Sequence, residues 1–456
     1  MSAGTLLARH ALLPAGWAGD VLIGWDDGGV ITTVEVGHSG AAMSTAQWVI
    51  PGMINLHSHA FQRAMAGLTE TAATTGDDNF WSWRALMYRF AGRITADQLQ
   101  AVAAQLFIDC LRHGFTAVCE FHYLHGSVVG SAAARPAEMA ERVALAAREC
   151  GIGLTMLPVL YACSGFGGQA LGPHQQRFRS DVDSVLAMVD GLSSLRDGQF
   201  EVGAAPHSLR AASLDQMAAL ATALPAGRPL HIHIAEQQAE VDACLAYSGR
   251  RPLSALFDAI AIDERWCLVH ATHLDTAECA ALAASGAVAG LCPSTEANLG
   301  DGLFALAPFI GAGGRFGIGS DSHAGHSPVE ELRWLEYGQR LQRQRRAIAV
   351  DGRERRVGDY LWQAALRGGA QASGRPLGAL APGRRADLLV LDASHPHLAD
   401  AAASEVMGLF LFAGNDNLVR DVLVGGRWVI EGGRHAAQDQ VASRYRAALA
   451  QLREDL

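Results

Sequence analysis

Residues 48–59 read WVIPGMINLHSH, an apolar run that ends in His57-Ser58-His59. The segment 48–57 has the length and apolar content of a buried strand. On an extended segment residues two apart share a face, so both imidazoles point the same way, as two ligands of one metal would. A lone H-x-H in a chain with 18 histidines equally describes surface or hydrogen-bonded structural histidines, so the rest of the chain has to decide.

Seven further short apolar or β-branched runs follow, at 116–122, 152–161, 200–207, 229–236, 266–273, 287–295 and 315–321. Ala/Leu-rich amphipathic stretches lie between them, including Ala96–His113, Pro136–Glu149, Ser213–Ala223, Ala255–Ala261 and Val329–Arg346. Alternation of this kind predicts βα units on a parallel sheet, and eight strands is the number that closes a (β/α)8 barrel. A doubly wound open sheet is the competing architecture, but the Gly-rich turn it needs after its first strand is missing. Strand patterns also occur at Asp20–Gly24 and Gly29–Val36 and return at Ala386–Asp392 and Val419–Glu431, where Gly425-Gly426 supplies a hairpin turn. The expected organisation is α/β: a barrel over 51–378 and a small β-sandwich built from both chain ends, 1–50 and 379–456, the latter closing with a helix.

Polar residues gather at the C-terminal ends of the expected barrel strands, where barrel enzymes keep their chemistry. The fifth strand carries His231-Ile232-His233 and then Glu236; the sixth ends in His270-Ala271-Thr272-His273; the eighth ends in Ser320-Asp321-Ser322-His323. Any one of these suits a structural role, but four strand ends offering metal-type ligands or titratable groups are hard to obtain by chance. Two nitrogens from strand one, a third from strand five and a carboxylate from strand eight make a mononuclear site with room for water. Imidazole and carboxylate without thiolate suit Zn²⁺, with Fe²⁺ or Mn²⁺ as alternatives. His231 is the nearest rival to His233.

Composition narrows the field further. The chain of 456 residues is 50% hydrophobic and 18% charged, a folded globular protein with a net charge of −10. No concentrated basic face points to nucleic acid, and no uncharged apolar run reaches the ~20 residues of a membrane span. The sequence holds no lysine, which removes P-loop, Schiff-base and carbamylated-lysine chemistry. Eight cysteines lie scattered without a C-x-x-C pair, and the first 20 residues lack the pattern of a signal peptide. Both features predict a cytoplasmic protein with reduced thiols.

At this point the chain resembles the amidohydrolase superfamily, over nearly its whole length. Pro51–His59 is similar to the superfamily's first-strand motif, and Gly383–Asp392 to its return into the sandwich; the absent lysine fits the mononuclear deaminase branch. The resemblance implies that His57, His59, His233 and Asp321 are metal ligands, that Glu236 is a proton shuttle and that His270 is catalytic, with Asp321 sharing in proton transfer. His122, His125, His273, His323 and His326 are left to other duties. A narrower similarity, in His59–Gly67, Phe80–Arg84, Glu120–Tyr123, His207–Arg210 and Ser294–Gly302, is to the branch that hydrolyses N-formimino-L-glutamate to N-formyl-L-glutamate and ammonia in histidine breakdown, by a metal-activated water.

That resemblance places substrate contacts on Gln62, Arg84, Tyr123, His207 and Arg210. Two arginines from different loops can each grip a carboxylate with paired N–H donors, as a dicarboxylate requires. The bland alternatives are that Arg84 pairs with Asp77 or Asp78, that Arg210 caps a helix, and that Trp81 and Trp83 only pack. Two rival functions remain open: a purine- or pyrimidine-type deaminase with the same metal ligands, and a non-catalytic barrel scaffold, against which the full ligand set speaks. The expected partner is a small dicarboxylate, in a homodimer that binds neither nucleic acid nor membrane.

Overall fold

The computed structural model describes residues 3–71, 80–126, 128, 135 and 137–454. Its strands in chain order are β1 (Gly4–Leu13), β2 (Gly16–Trp25), β3 (Ile31–Val36), β4 (Ser44–Pro51), β5 (Met53–Ser58), β6 (Phe115–His122), β7 (Gly153–Leu160), β8 (Phe200–Val202), β9 (Ala205–Pro206), β10 (Leu230–Ile234), β11 (Trp266–His270), β12 (Val288–Leu291), β13 (Arg315–Ile318), β14 (Leu388–Leu391), β15 (Val419–Val424) and β16 (Arg427–Ile430). The architecture is α/β. One parallel sheet runs β5-β6-β7-β8, with β9 beside β7, and a second runs β10-β11-β12-β13. Isolated parallel bridges, Ser58 with Asp321 and Ala204 with Leu230, tie the two sheets together at both margins. β5, β6, β7, β10, β11 and β12 are buried along their whole length, which is why they read as nearly continuous apolar runs.

The two chain ends meet in a third, seven-stranded sheet of order β16-β15-β14-β4-β1-β2-β3. The seam is the antiparallel pairing of β14 with β4, Leu388 opposite Pro51 through Leu391 opposite Trp48. Gly425 and Gly426, both at positive φ, turn β15 into β16, as the sequence leads one to expect. β1, absent from the strands expected from sequence, lies between β4 and β2 near the middle of this sheet.

The run 48–57 is a correction, because it is two strands in different sheets and not one. The chain changes partners at Gly52: its N–H donates to Asp387 O in the terminal sheet, and the next N–H, of Met53, donates to Gly114 O ahead of β6. A Cβ at Gly52 would collide with the Thr116 side chain, so only glycine permits the crossing. The fourth expected strand is likewise divided, into β8 and β9, around Gly203-Ala204.

The helices lie close to their sequence positions. Ala96–His113 begins on a Thr95/Gln98 capping box and stops at Gly114 in the left-handed region, while Ser213 caps Leu214–Ala223. Helix Val357–Ser373 has a special place. Gly368 and Gly369 press on Phe316-Gly317 of β13 and Ile54 of β5, and its last carbonyls accept bonds from His231 Nε2 (Ala372 O, 2.8 Å) and Thr155 Oγ1 (Ser373 O, 2.9 Å). It thereby covers the beginnings of the parallel strands and leaves their C-terminal ends open.

In an ordinary helix interior Gly→Ala gains up to about 1 kcal/mol from propensity. At Gly368 the new methyl would sit on the Phe316 carbonyl, so overpacking wins. Gly368→Ala is expected to lose about 1–3 kcal/mol in denaturant unfolding, with the sign set by the clash.

Candidate metal centre and active site

His57 lies in β5, His59 directly follows that strand, His233 lies in β10, and Asp321 follows β13. Their donor atoms converge: His57 Nε2 is 3.2 Å from His59 Nε2 and 3.0 Å from His233 Nε2, and Asp321 Oδ1 is 3.3 and 3.1 Å from the Nε2 atoms of His57 and His59. His59 Nδ1 donates to Phe121 O at 2.9 Å and His233 Nδ1 donates to His207 O at 3.1 Å, so each ring turns the lone pair of its Nε2 toward the others. Burial pushes the His57 imidazole down to about 3 and His233 well below its ordinary value. Burial opposes the Asp321 charge, but the contacts with His57 and His59 hold its carboxyl well below the usual range. Imidazole nitrogens and a carboxylate oxygen converging on one point are the donor set of a divalent metal, and this set fits one.

His231 shares its face with His233 but lies two residues earlier, about 7 Å deeper along the strand. There it bonds the C-terminus of helix Val357–Ser373 and takes no part in the cluster. The other histidines are also accounted for outside the cluster. His125 Nε2 donates to Val159 O, His273 Nε2 to Asp301 O, His323 sits between Ser58 Oγ and Ser320 Oγ, and the His122 and His326 rings pack against those of His125 and His113.

Glu236 and His270 adjoin the cluster. His270 Nε2 is 3.7 Å from Glu236 Oε1 and 3.9 Å from Asp321 Oδ2, and its Nδ1 is 3.3 Å from Glu296 Oε1. Burial works against its protonation, but the surrounding carboxylates of Glu236, Glu296 and Asp321 outweigh that and raise the imidazole to about 10. Ala235, His270, Ala271, Asp321 and His323 all adopt positive φ, concentrating non-glycine backbone strain at the strand ends that carry the site.

One cavity is lined by His59, His233 and Asp321 of the cluster together with Glu236, His270 and all five expected substrate contacts, Gln62, Arg84, Tyr123, His207 and Arg210. Gln62 Nε2 donates to Tyr123 OH at 2.6 Å. Burial and the nearby Arg210 hold the His207 imidazole well below its usual value. Arg84 comes from helix Phe80–Arg93, whose Trp83, Met87 and Tyr88 also line the cavity. Asp77, Asp78 and the Trp81 side chain lie outside the described residues. Arg210 does not cap a helix: its Nη2 is 3.8 Å from Glu236 Oε2 and its Nε 3.9 Å from Glu240 Oε2. Sequence reasoning passed over Glu240, Tyr161 and Tyr88, and gave Glu296 and Asp301, within the Ser294–Gly302 similarity, no role of their own. Glu240 had a signal, its i+4 spacing from Glu236 at the start of a helix; the tyrosines had none.

All eight cysteines are buried and free, and no helix among the described residues is long and apolar enough to cross a membrane.

The chain belongs to the amidohydrolase family, whose model matches residues 48–429. It is 51% identical over 452 residues to the formimidoylglutamate deiminase of Pseudomonas aeruginosa, covering 98% of this chain and 99% of that protein. It is also similar to the crystal structure of an amidohydrolase from Brucella melitensis, with a TM-score of 0.93 at 45% identity over 98% of this chain and 99% of the other. The crystal structure of an adenosine deaminase from Xanthomonas campestris with bound zinc shares the fold, with a TM-score of 0.80 at 20% identity over 98% of each chain.

The two histidines of β10 make a sharp comparison. His233→Ala is expected to purify without metal, as are His57→Ala, His59→Ala and Asp321→Ala. His231→Ala is expected to keep its metal and to lose about 1–3 kcal/mol of stability through the orphaned Ala372 carbonyl. Elemental analysis showing a full site in His233→Ala and an empty one in His231→Ala would reverse the two roles.

Proposed function

We propose that the chain hydrolyses N-formimino-L-glutamate to N-formyl-L-glutamate and ammonia, in the breakdown of histidine. The observation that carries this reading is the pair of guanidinium groups, Arg84 and Arg210, on two separate segments of the wall around the donor cluster. Two cations suit the two carboxylates of a glutamyl group, and within a chain of net charge −10 such local positive charge is what captures a dianion. The 51% identity to a formimidoylglutamate deiminase supports it.

A divalent ion held by His57, His59, His233 and Asp321, Zn²⁺ by preference and Fe²⁺ or Mn²⁺ as alternatives, would supply a water acidified toward neutral pH. Zinc in the related Xanthomonas structure favours the first choice. Asp321 takes up the proton of the attacking water, and protonated His270, with Nε2 between the Asp321 and Glu236 carboxylates, relays it, giving its Nε2 proton to Glu236 as it takes one from Asp321. Glu236 delivers a proton to the nitrogen that leaves as ammonia, and as an anion it also attracts a basic formimino group. Gln62, Tyr123 and His207 position the chain of the substrate between the arginines.

The two parallel sheets are read here as one (β/α)8 barrel over 51–378, in which β8 and β9 together count as the fourth strand; the marginal bridges support closure. The terminal sheet, from 1–50 and 379–456, is read as a small β-sandwich, and the Val30–Arg385 bridge, which brings the start of edge strand β3 to the segment before β14, supports it. Free buried thiols favour the cytoplasm, and a homodimer acting on a small dicarboxylate without nucleic acid or membrane completes the proposal. The rival reading, a heterocyclic amine deaminase, draws on the aromatic wall of Trp83, Tyr88, Tyr123, Tyr161 and Phe178, but a neutral heterocycle gives the two arginines nothing to hold.

Ammonia release from N-formimino-L-glutamate, measured beside a panel of heterocyclic amines, separates the two readings. Arg84→Gln and Arg210→Gln are each expected to cost roughly 2–5 kcal/mol in kcat/KM, and analogues lacking one carboxylate should be insensitive to one arginine and sensitive to the other. Glu236→Gln is expected to keep its metal while kcat falls about 10²–10⁴-fold. Turnover of a purine or pyrimidine with none of N-formimino-L-glutamate refutes the substrate.

A further inference from the structure

Glu236-Gln237-Gln238-Ala239-Glu240 carries the chain from the end of β10 into helix Gln238–Ser248, with Glu240 in the first turn. The backbone departs from the strand at Ala235, whose φ of 48° lies in the left-handed region. Beyond that kink the Glu236 N–H needs an acceptor of its own, and Glu240 Oε2 supplies it at 3.2 Å. A carboxylate in the first helical turn that reaches back to an amide ahead of the helix is favoured by the helix dipole as well.

The same oxygen lies 3.9 Å from Arg210 Nε, while Arg210 Nη2 lies 3.8 Å from Glu236 Oε2. These distances make an ion pair without a hydrogen bond. Arg210 Nε and Glu240 Oε1 are both buried and have no hydrogen-bond partner among the described residues. The guanidinium is thus balanced in charge, while its Nε–H stays uncommitted to a hydrogen bond. Glu240 itself is 3% exposed, and behind it a second cavity shares Arg210, Gln237 and Glu240 in its wall.

We propose that Glu240 is a positioning residue that couples carboxylate recognition to proton transfer: one buried carboxylate fixes the backbone of Glu236 and holds the side chain of Arg210 in place for the substrate. This rests on the reading of Arg210 as a carboxylate clamp. The two duties separate by substitution. Glu240→Gln keeps an acceptor for the Glu236 amide and removes the charge beside Arg210; Glu240→Ala removes both.

The test measures N-formyl-L-glutamate binding by calorimetry and turnover of N-formimino-L-glutamate on the metal-loaded protein. Glu240→Gln is expected to raise both Kd and KM about ten-fold with kcat held within about three-fold, whereas Glu240→Ala also lowers kcat about a hundred-fold. In an Arg210→Gln background, Glu240→Gln is expected to change Kd by less than about two-fold, because the two residues act as one unit. Arg210→Gln leaves the buried Glu240 carboxylate without its cation and the double variant removes that charge too, so where a single variant does not fold the double variant is expected to be the more stable in denaturant unfolding, and a double variant less stable than both singles overturns the pairing. Unchanged Kd and KM in Glu240→Gln, or an equal loss of affinity with and without Arg210, overturns the proposal. A wild type that binds N-formyl-L-glutamate but releases no ammonia refutes the deiminase reading, and the binding arm still reads Glu240.

Discussion

Three imidazole nitrogens and a carboxylate oxygen converge in a buried site with neighbours 3.0–3.3 Å apart, a crowding of electron-pair donors that a shared cation relieves. Much of the surrounding structure follows from that convergence. The rings are oriented by carbonyls behind them, Phe121 O for His59 and His207 O for His233. Ser58, between His57 and His59, donates to Glu120 at 2.5 Å and meets His323 at 3.0 Å, while Asn55 donates to Ser320 beside Asp321 at 2.6 Å. The first and last parallel strands are thereby locked where His57, His59 and Asp321 converge. The positive φ values of Asp321, His323 and His270 are strain that this web of buried bonds keeps in place.

Charge is arranged in layers around the cluster. Glu236, Glu296 and Asp321 surround His270, and Arg210 stands on the far side of Glu236, so acidic and basic groups alternate outward from the donors into the cavity. In water such pairs would be worth little. Buried, they are sensitive to the loss of any one member, because the remaining charge is left without compensation. The same logic explains why a chain with more acid than base places arginine, and not merely polar side chains, on the cavity wall.

Much of this was legible in the sequence because strand periodicity is local. His57, His59, His233, Asp321, Glu236 and His270 could be picked out as polar groups at the ends of apolar runs, and the structure brings all six to one place. What periodicity could not supply was depth. His231 and His233 occupy equivalent faces of one strand, and only the arrival of a helix C-terminus at the lower level explains why one ring meets a carbonyl and the other the cluster. Nor could it show that the apolar run 48–57 serves two sheets, since the break depends on Thr116, 64 positions away, leaving no room for a side chain at Gly52.

By itself, then, the sequence determined the alternation of strands and helices, the union of its two ends and the chemical type of the site, all of which depend on residue identity at short spacing. Tertiary structure decided which histidine reaches the cluster, what Arg210 faces and what Glu240 does. Those outcomes depend on distances between segments far apart in the chain, and Ala235 shows why: its positive φ turns Glu236 out of the strand's register, so that the position of the following residues is set by their partners across the fold and not by the pattern of their own sequence.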